Sequence, residues 1–164
     1  MLYPAQLYID ELNKRMISCW YNEKYKYYFS GVYTGCNIPK DTEYRRDFVH
    51  LDSNGCVDGY FSFHYNDGTK SMTNFGLIGF ANNNIELIYD AVKEVKKMFQ
   101  HGAQRAEFWA FVSNPANRMY ERIARKYGGK KVGYLTRTAF FDGEYHDAVL
   151  YEFLVENLGI IEEG

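Results

Sequence analysis

Histidines, cysteines, tyrosines, a strand aspartate and a few helix-end amides and cations are the residues of this 164-residue chain whose types and placement bear on its chemistry. His50, His64, His101 and His146 are scattered, as are Cys19, Cys36 and Cys56. They form no Cys-x-x-Cys pair and show no histidine spacing suited to tetrahedral zinc, so no metal is expected. An odd, dispersed set of thiols gives no disulfide framework and fits a reducing, cytoplasmic setting. His64 and Asp58 lie in one strand-like run, Cys56–Tyr65. Either could take a proton through a water, and a lone histidine in a strand is also simply a packed or surface residue. The 16 Tyr and 12 Phe suit half-buried packing or stacking on nucleic-acid bases, and the second use ordinarily needs a basic groove. A net charge of −2 and a pI near 6.1 supply none, which argues against nucleic acid as a partner.

The elements that must position these residues follow from periodicity and punctuation. With 46% apolar and 24% charged residues, the chain has globular composition and is long enough for one core, so residues 1–164 are read as a single domain. No leader is evident, and no apolar run approaches the ~18 residues of a membrane span. An N-terminal helical segment is expected over about residues 5–30. Ile9, Leu12, Met16, Cys19 and Trp20 share one helical face, and Asn22–Phe29 follows as a second helix. Gly31–Asp41 reads as a loop. The core is expected over about 47–155. Asp47–Asp52, Cys56–Tyr65 and Lys70–Phe80 form a meander separated by Ser53-Asn54-Gly55 and Asn66-Asp67-Gly68. Ile85, Ile88, Val92, Val95 and Phe99 define a helix that Gly102 stops, with acids early and lysines late. Ala106–Val112 is a covered strand. Asn114 and Pro115 open a helix bearing Met119, Tyr120, Ile123, Ala124 and Tyr127 on one face, and Gly128-Gly129 ends it. Val132–Phe140 and Ala148–Val155 form a last hairpin through Asp142-Gly143. The fold class is therefore α/β with a mixed (α+β) sheet: an antiparallel meander, then β-α-β-α-β-β, parallel only in the middle.

Two segments add a residue-level likeness to this order. Asn114-Pro115-Ala116-Asn117-Arg118-Met119-Tyr120-Glu121-Arg122-Ile123, with Gly128 behind it, resembles the Asn-led helix of the GCN5-related N-acetyltransferases. Asp142-Gly143-Glu144-Tyr145-His146-Asp147-Ala148-Val149-Leu150-Tyr151-Glu152 resembles their closing hairpin. The likeness spans roughly Asp47 to Val155.

The resemblance implies an acetyl-CoA-dependent transfer to a primary amine of a small molecule or protein, with acyl-CoA and the amine as partners, no metal and a homodimer left open. In that family the fourth and fifth strands splay and the pantetheine arm lies between them, here along Leu77, Ile78, Gly79 and Phe80. Asn114 and Asn117 would also face the cofactor. The pyrophosphate would meet the turn before the Ile85 helix, where unpaired N–H groups favour an anion. That turn is Ala81-Asn82-Asn83-Asn84 in place of the family's glycine-rich loop. Asn82, Asn83 and Asn84 can form a phosphate nest through left-handed conformations, or can simply cap the helix. Arg118, Arg122, Arg125 and Lys126 are alternative phosphate partners or a solvated face. The thiolate's acid falls on Tyr120 in one register and on Ala124 in another, with Tyr127 as a substitute. The glutamate often found in the fourth strand is missing, which leaves His64 or Asp58 for the base. The same departures also fit a member that kept the fold as a binding or regulatory module. Acceptor specificity would reside in the aromatic N-terminal third and the Gly31–Asp41 loop.

Overall fold

The computed structural model describes residues 1–29, 44–81 and 84–158. The expected Gly31–Asp41 loop and Asn82 and Asn83 lie outside the described residues. Three strands build the first part of the sheet, β2 (Arg45–Leu51), β3 (Val57–Asn66) and β4 (Ser71–Gly79). They pair antiparallel in sequence order, as the two glycine turns require. A short strand, β1 (Leu2–Pro4), adds to β2 where the sequence pattern suggested only helix. Three residues are too few to show an alternation, so this strand is set by its partner. The helices α1 (Ile9–Cys19) and α2 (Lys26–Phe29) follow it.

After β4 come α3 (Ile85–Gln100), β5 (Arg105–Phe111), α4 (Asn117–Lys126), β6 (Lys130–Phe141) and β7 (Glu144–Leu154). The seven strands order β1-β2-β3-β4-β5-β7-β6, and only β4 and β5 are parallel neighbours. That is the mixed sheet the element order predicts. Helix α1 buries Leu12 and Met16 on one face against Val49, Tyr60 and Ile78. Helices α3 and α4 cover the other face, where Leu87, Ala91, Phe99 and Ala124 meet Phe61, Phe63 and Tyr151. Two details correct the sequence reading. Ile85 is 72% exposed, because the buried stripe of α3 runs through Leu87, Ala91 and Phe99. Helix α4 begins at Asn117, not at Pro115: Asn114 caps the preceding turn by accepting from the Ala116 N–H at 2.9 Å.

The seam between β4 and β5 shapes the molecule. Its register contains two rungs, Ser71↔Arg105 and Met72↔Ala106. Beyond them a bulge shifts β4 against β3: Ser62 faces Gly76, but His64 faces Thr73. Asn74, at φ 52°, takes the left-handed conformation that absorbs the extra residue. The bulge turns β4 away while β5 stays paired with β7 along its length. The sheet therefore parts down its middle, and the edge of β4 from Thr73 to Gly79 has no strand partner on that side among the described residues.

Gly128 closes α4 at φ 72°, and a Cβ there would lie 1.9 Å from the Asn157 carbonyl oxygen. Both the conformation and the space exclude a side chain. Gly128→Ala is expected to lower the unfolding free energy by about 2 kcal/mol or more, as read by urea denaturation. An unchanged midpoint would mean that the C-terminal turn is not docked against α4.

Candidate functional site

A cleft of about 430 Å³ opens where the sheet parts. Strand alternation gives it two arms. On the α1–α2 side Arg45, Ser62, His64 and Asn74 supply polar groups, with Tyr27 and Tyr28 above them. On the α3–α4 side an apolar groove of about 130 Å³ continues between Ile88, Ala91, Val92 and Ile123. Phe75, Leu77, Phe108, Trp109 and Tyr120 line both arms and mark where they meet. The Phe75 and Phe108 rings meet edge to face across the gap with centroids 6.1 Å apart.

Helix α2 spans the first arm although it has only four residues. Tyr28 reaches β4, where a Cβ on Gly76 would lie 3.5 Å from its hydroxyl. Tyr27 reaches the other half of the sheet, donating to the Ser113 carbonyl at 3.0 Å and packing on Phe111 and Phe141. Lys26 adds an ion pair to Asp142 at 2.9 Å.

Tyr120 is half-buried at the junction, its ring edge-on to Phe108 at 5.1 Å. Its hydroxyl has no hydrogen-bond partner among the described residues. Burial pushes the phenol's pKa up, and neighbouring Tyr151 pushes it further, so Tyr120 is protonated at neutral pH. Tyr127 lies seven residues on, about 10 Å along the helix axis. It packs under Lys96 and Lys126 against a separate small hollow with Phe99 and Leu158. It does not reach the cleft.

The other site candidates divide in the same way. His64 and Leu77 line the cleft, and so does Asn114. Ile78 points to the opposite face and is buried against α1. Gly79 pairs with Gly59, and Phe80 donates its N–H to the Asp58 carbonyl at 2.8 Å. Asn117 holds the turn together: its Nδ2 donates to the Phe111 carbonyl at 2.6 Å and its Oδ1 accepts from the Tyr151 hydroxyl at 3.0 Å. Asn84 caps α3, accepting from the Leu87 N–H at 3.0 Å and donating to the Asp58 carbonyl at 3.1 Å. With both ends of its amide engaged, Asn84 brings the start of α3 against β3 and β4. Asp58 is turned away and pairs with His50 at 2.6 Å. Arg118, Arg122, Arg125 and Lys126 are exposed on α4.

Sequence reasoning missed Arg45 and the network beneath it. Asp47 has no exposed side-chain surface, yet it carries a carboxylate. One oxygen accepts from the Tyr60 hydroxyl and from Arg45 Nε, the latter at 2.9 Å. Arg45 Nη2 also meets the Tyr60 oxygen at 2.9 Å. A buried charge of this kind persists only with its partners in place. The charged run Arg45-Arg46-Asp47 gave the sole signal, a polar start to a strand otherwise turned inward.

This geometry has solved counterparts. A spermidine N-acetyltransferase from Vibrio cholerae in complex with CoA and spermine superposes with a TM-score of 0.68 at 17% identity, covering 96% of both chains. An N-acetyltransferase from Staphylococcus aureus Mu50 gives 0.69 at 15% identity, covering 94% of this chain and 98% of the other. A manganese-bound spermidine/spermine N-acetyltransferase from V. cholerae gives 0.59 at 21%, covering 70% and 67%. The chain has the GCN5-related N-acetyltransferase fold. No family model and no curated protein matches its sequence. In this N-acetyltransferase fold the parted β4 and β5 are the feature the resemblance implied, and the bulge at Asn74 is its local cause.

Burial, followed by the hydrogen bond to Asp47, raises the Tyr60 phenol to about 12 from 10.0. Folding therefore favours the protonated phenol, and that contribution is complete below pH 10 and lost as pH rises through about 12. Stability is expected to fall by roughly 2–3 kcal/mol over that window on account of Tyr60. Tyr60→Phe should flatten the fall, measured by urea unfolding at stepped pH. An identical slope in both proteins would show that Tyr60 is not the group responsible.

Proposed function

We propose that the protein is an acetyl-CoA-dependent N-acetyltransferase acting on a primary amine. The observation that carries this reading is the unpaired edge of β4, Thr73 to Gly79, facing a gap with Tyr120 at its inner wall. An extended arm bearing amide groups would satisfy that edge as a strand would. The apolar groove between α3 and α4 suits the remainder of such an arm, and Asn84 keeps the start of α3 close to the end of β4.

Acetyl-CoA, when bound, supplies the acetyl group as a thioester. The overall change is R–NH3+ plus thioester to N-acetyl amide, free thiol and one released proton; a C–N bond forms and the C–S bond breaks. In this chain the polar arm receives the amine and the apolar groove excludes water behind the thioester. Tyr120 holds its proton at Oη, where the departing sulfur requires one. His64 Nδ1 accepts from Asn74 Nδ2 at 3.3 Å, so the amine's proton leaves through water in the open polar arm.

Tyr120→Phe is expected to lower kcat roughly 100-fold and to leave the KM for acetyl-CoA unchanged. The urea midpoint should also hold, because the hydroxyl makes no hydrogen bond to the described residues. Thiol release from acetyl-CoA reads the rate, and calorimetric titration reads cofactor binding. An undiminished kcat would remove Tyr120 from the mechanism. Absence of binding at millimolar acetyl-CoA would turn the reading towards a fold kept as a binding module.

A further inference from the structure

The polar arm of the cleft has a chemical character of its own. Arg45 and His64 are directly opposed across β2 and β3, so their side chains stand side by side on the same face. Arg45 spends Nε and Nη2 on Asp47 and Tyr60, which leaves Nη1 without a partner among the described residues. That fixes the guanidinium plane with its third nitrogen free. His64 Nδ1 takes the Asn74 amide; a neutral ring whose Nδ1 accepts must carry its proton on Nε2. Two neighbouring residues of the arm thus each carry an N–H donor, with the Ser62 hydroxyl and the Asn114 amide along the same cleft. Arg45 is the only residue among the described cleft lining with a permanent charge, and none of that lining is acidic.

We propose that Arg45 Nη1 and His64 Nε2 form a cradle for an oxyanion carried by the acceptor. The favoured substrate would then be a small amine bearing a carboxylate or phosphate. The buried Asp47 acts here as a positioning residue, because it orients the guanidinium without reaching the cleft. A polyamine brings several positive charges to a wall that offers N–H donors and, among the described lining, no carboxylate to receive them. This inference rests on the acyl-transfer reading for the second substrate only; the cradle itself is a property of β2, β3 and β4.

Matched acceptors that differ by the anion alone test it: 2-phenylethylamine against L-phenylalanine, and ethanolamine against O-phosphoethanolamine, with spermidine as the polycation. The anionic member of at least one pair is expected to show a kcat/KM about tenfold higher than its neutral partner. The double variant Arg45→Gln/Asp47→Asn removes the cation without stranding a buried carboxylate, and it should bring that ratio close to one. Arg45→Lys keeps the charge but loses the fork and should fall between. Preference for spermidine or for the neutral amines would overturn the cradle, as would a ratio that survives the double variant. Calorimetric titration of L-phenylalanine and O-phosphoethanolamine separates the two readings. If no amine is acetylated but an anionic probe binds in an Arg45-dependent way, the cradle stands and acyl transfer falls. If neither probe binds and no amine is acetylated, both fall.

Discussion

Two rungs of parallel pairing hold the halves of this sheet together, and nearly everything of interest depends on there being only two. Were β4 and β5 paired along their length, Phe75 and Phe108 would be neighbours in a continuous surface and no cleft would exist. The bulge at Asn74 prevents this at small cost, since asparagine enters the left-handed region more readily than most residues. The lost ladder bonds of β4 are the larger expense. They leave backbone donors and acceptors in a partly enclosed place, which is tolerable only where water or a ligand can reach them.

The polar arm depends on a second constraint, the burial of Asp47. A carboxylate with no exposed side-chain surface is destabilising on its own. The contacts of its Oδ1 with Arg45 Nε, Arg45 Nη2 and the Tyr60 hydroxyl offset part of that, while its Oδ2 has no partner among the described residues. The network gives little net stability, but it gives fixed geometry. Arg45 would otherwise be a long, mobile side chain on a strand. Anchored at two nitrogens it becomes a rigid part of the wall, and the cleft acquires a direction: donors on the α1–α2 side, apolar surface on the α3–α4 side, a protonated phenol between them.

How much of this the sequence disclosed varies with the range of the interactions. Glycine turns and the 3.6-residue stripe of α3 are local signals, and the meander, both long helices and the closing hairpin follow from them. The glycine turns that bound β3 and the continuous apolar run of β5 were enough to make them strands. What local reading could not supply was registration. Arg45 and His64 meet because β2 and β3 align in one register, and nothing within either segment states it. Asn74 shows the same limit: the run Lys70–Phe80 reads as an uninterrupted strand, with a mid-strand asparagine as the only hint of a bulge. Tyr120 and Tyr127 looked interchangeable by type, and only packing separates the one at the cleft from the one beneath Lys96. Asn84 could be read as a cap or an anion ligand, and the structure shows its side chain making the cap's hydrogen bond to the Leu87 N–H.

The placement of the two tryptophans has an optical consequence. Trp109 is 43% exposed at the junction of the two arms, edge-on to Phe111 with centroids 5.2 Å apart. Trp20 sits at the far end of α1, outside the cleft lining. An indole in the cleft wall changes its emission when water or a thioester replaces its surroundings, whereas one at a helix terminus stays constant. The molecule therefore carries its own fluorophore at its most informative position and a built-in reference at its least, and occupancy of the parted sheet can be followed by emission with no label attached.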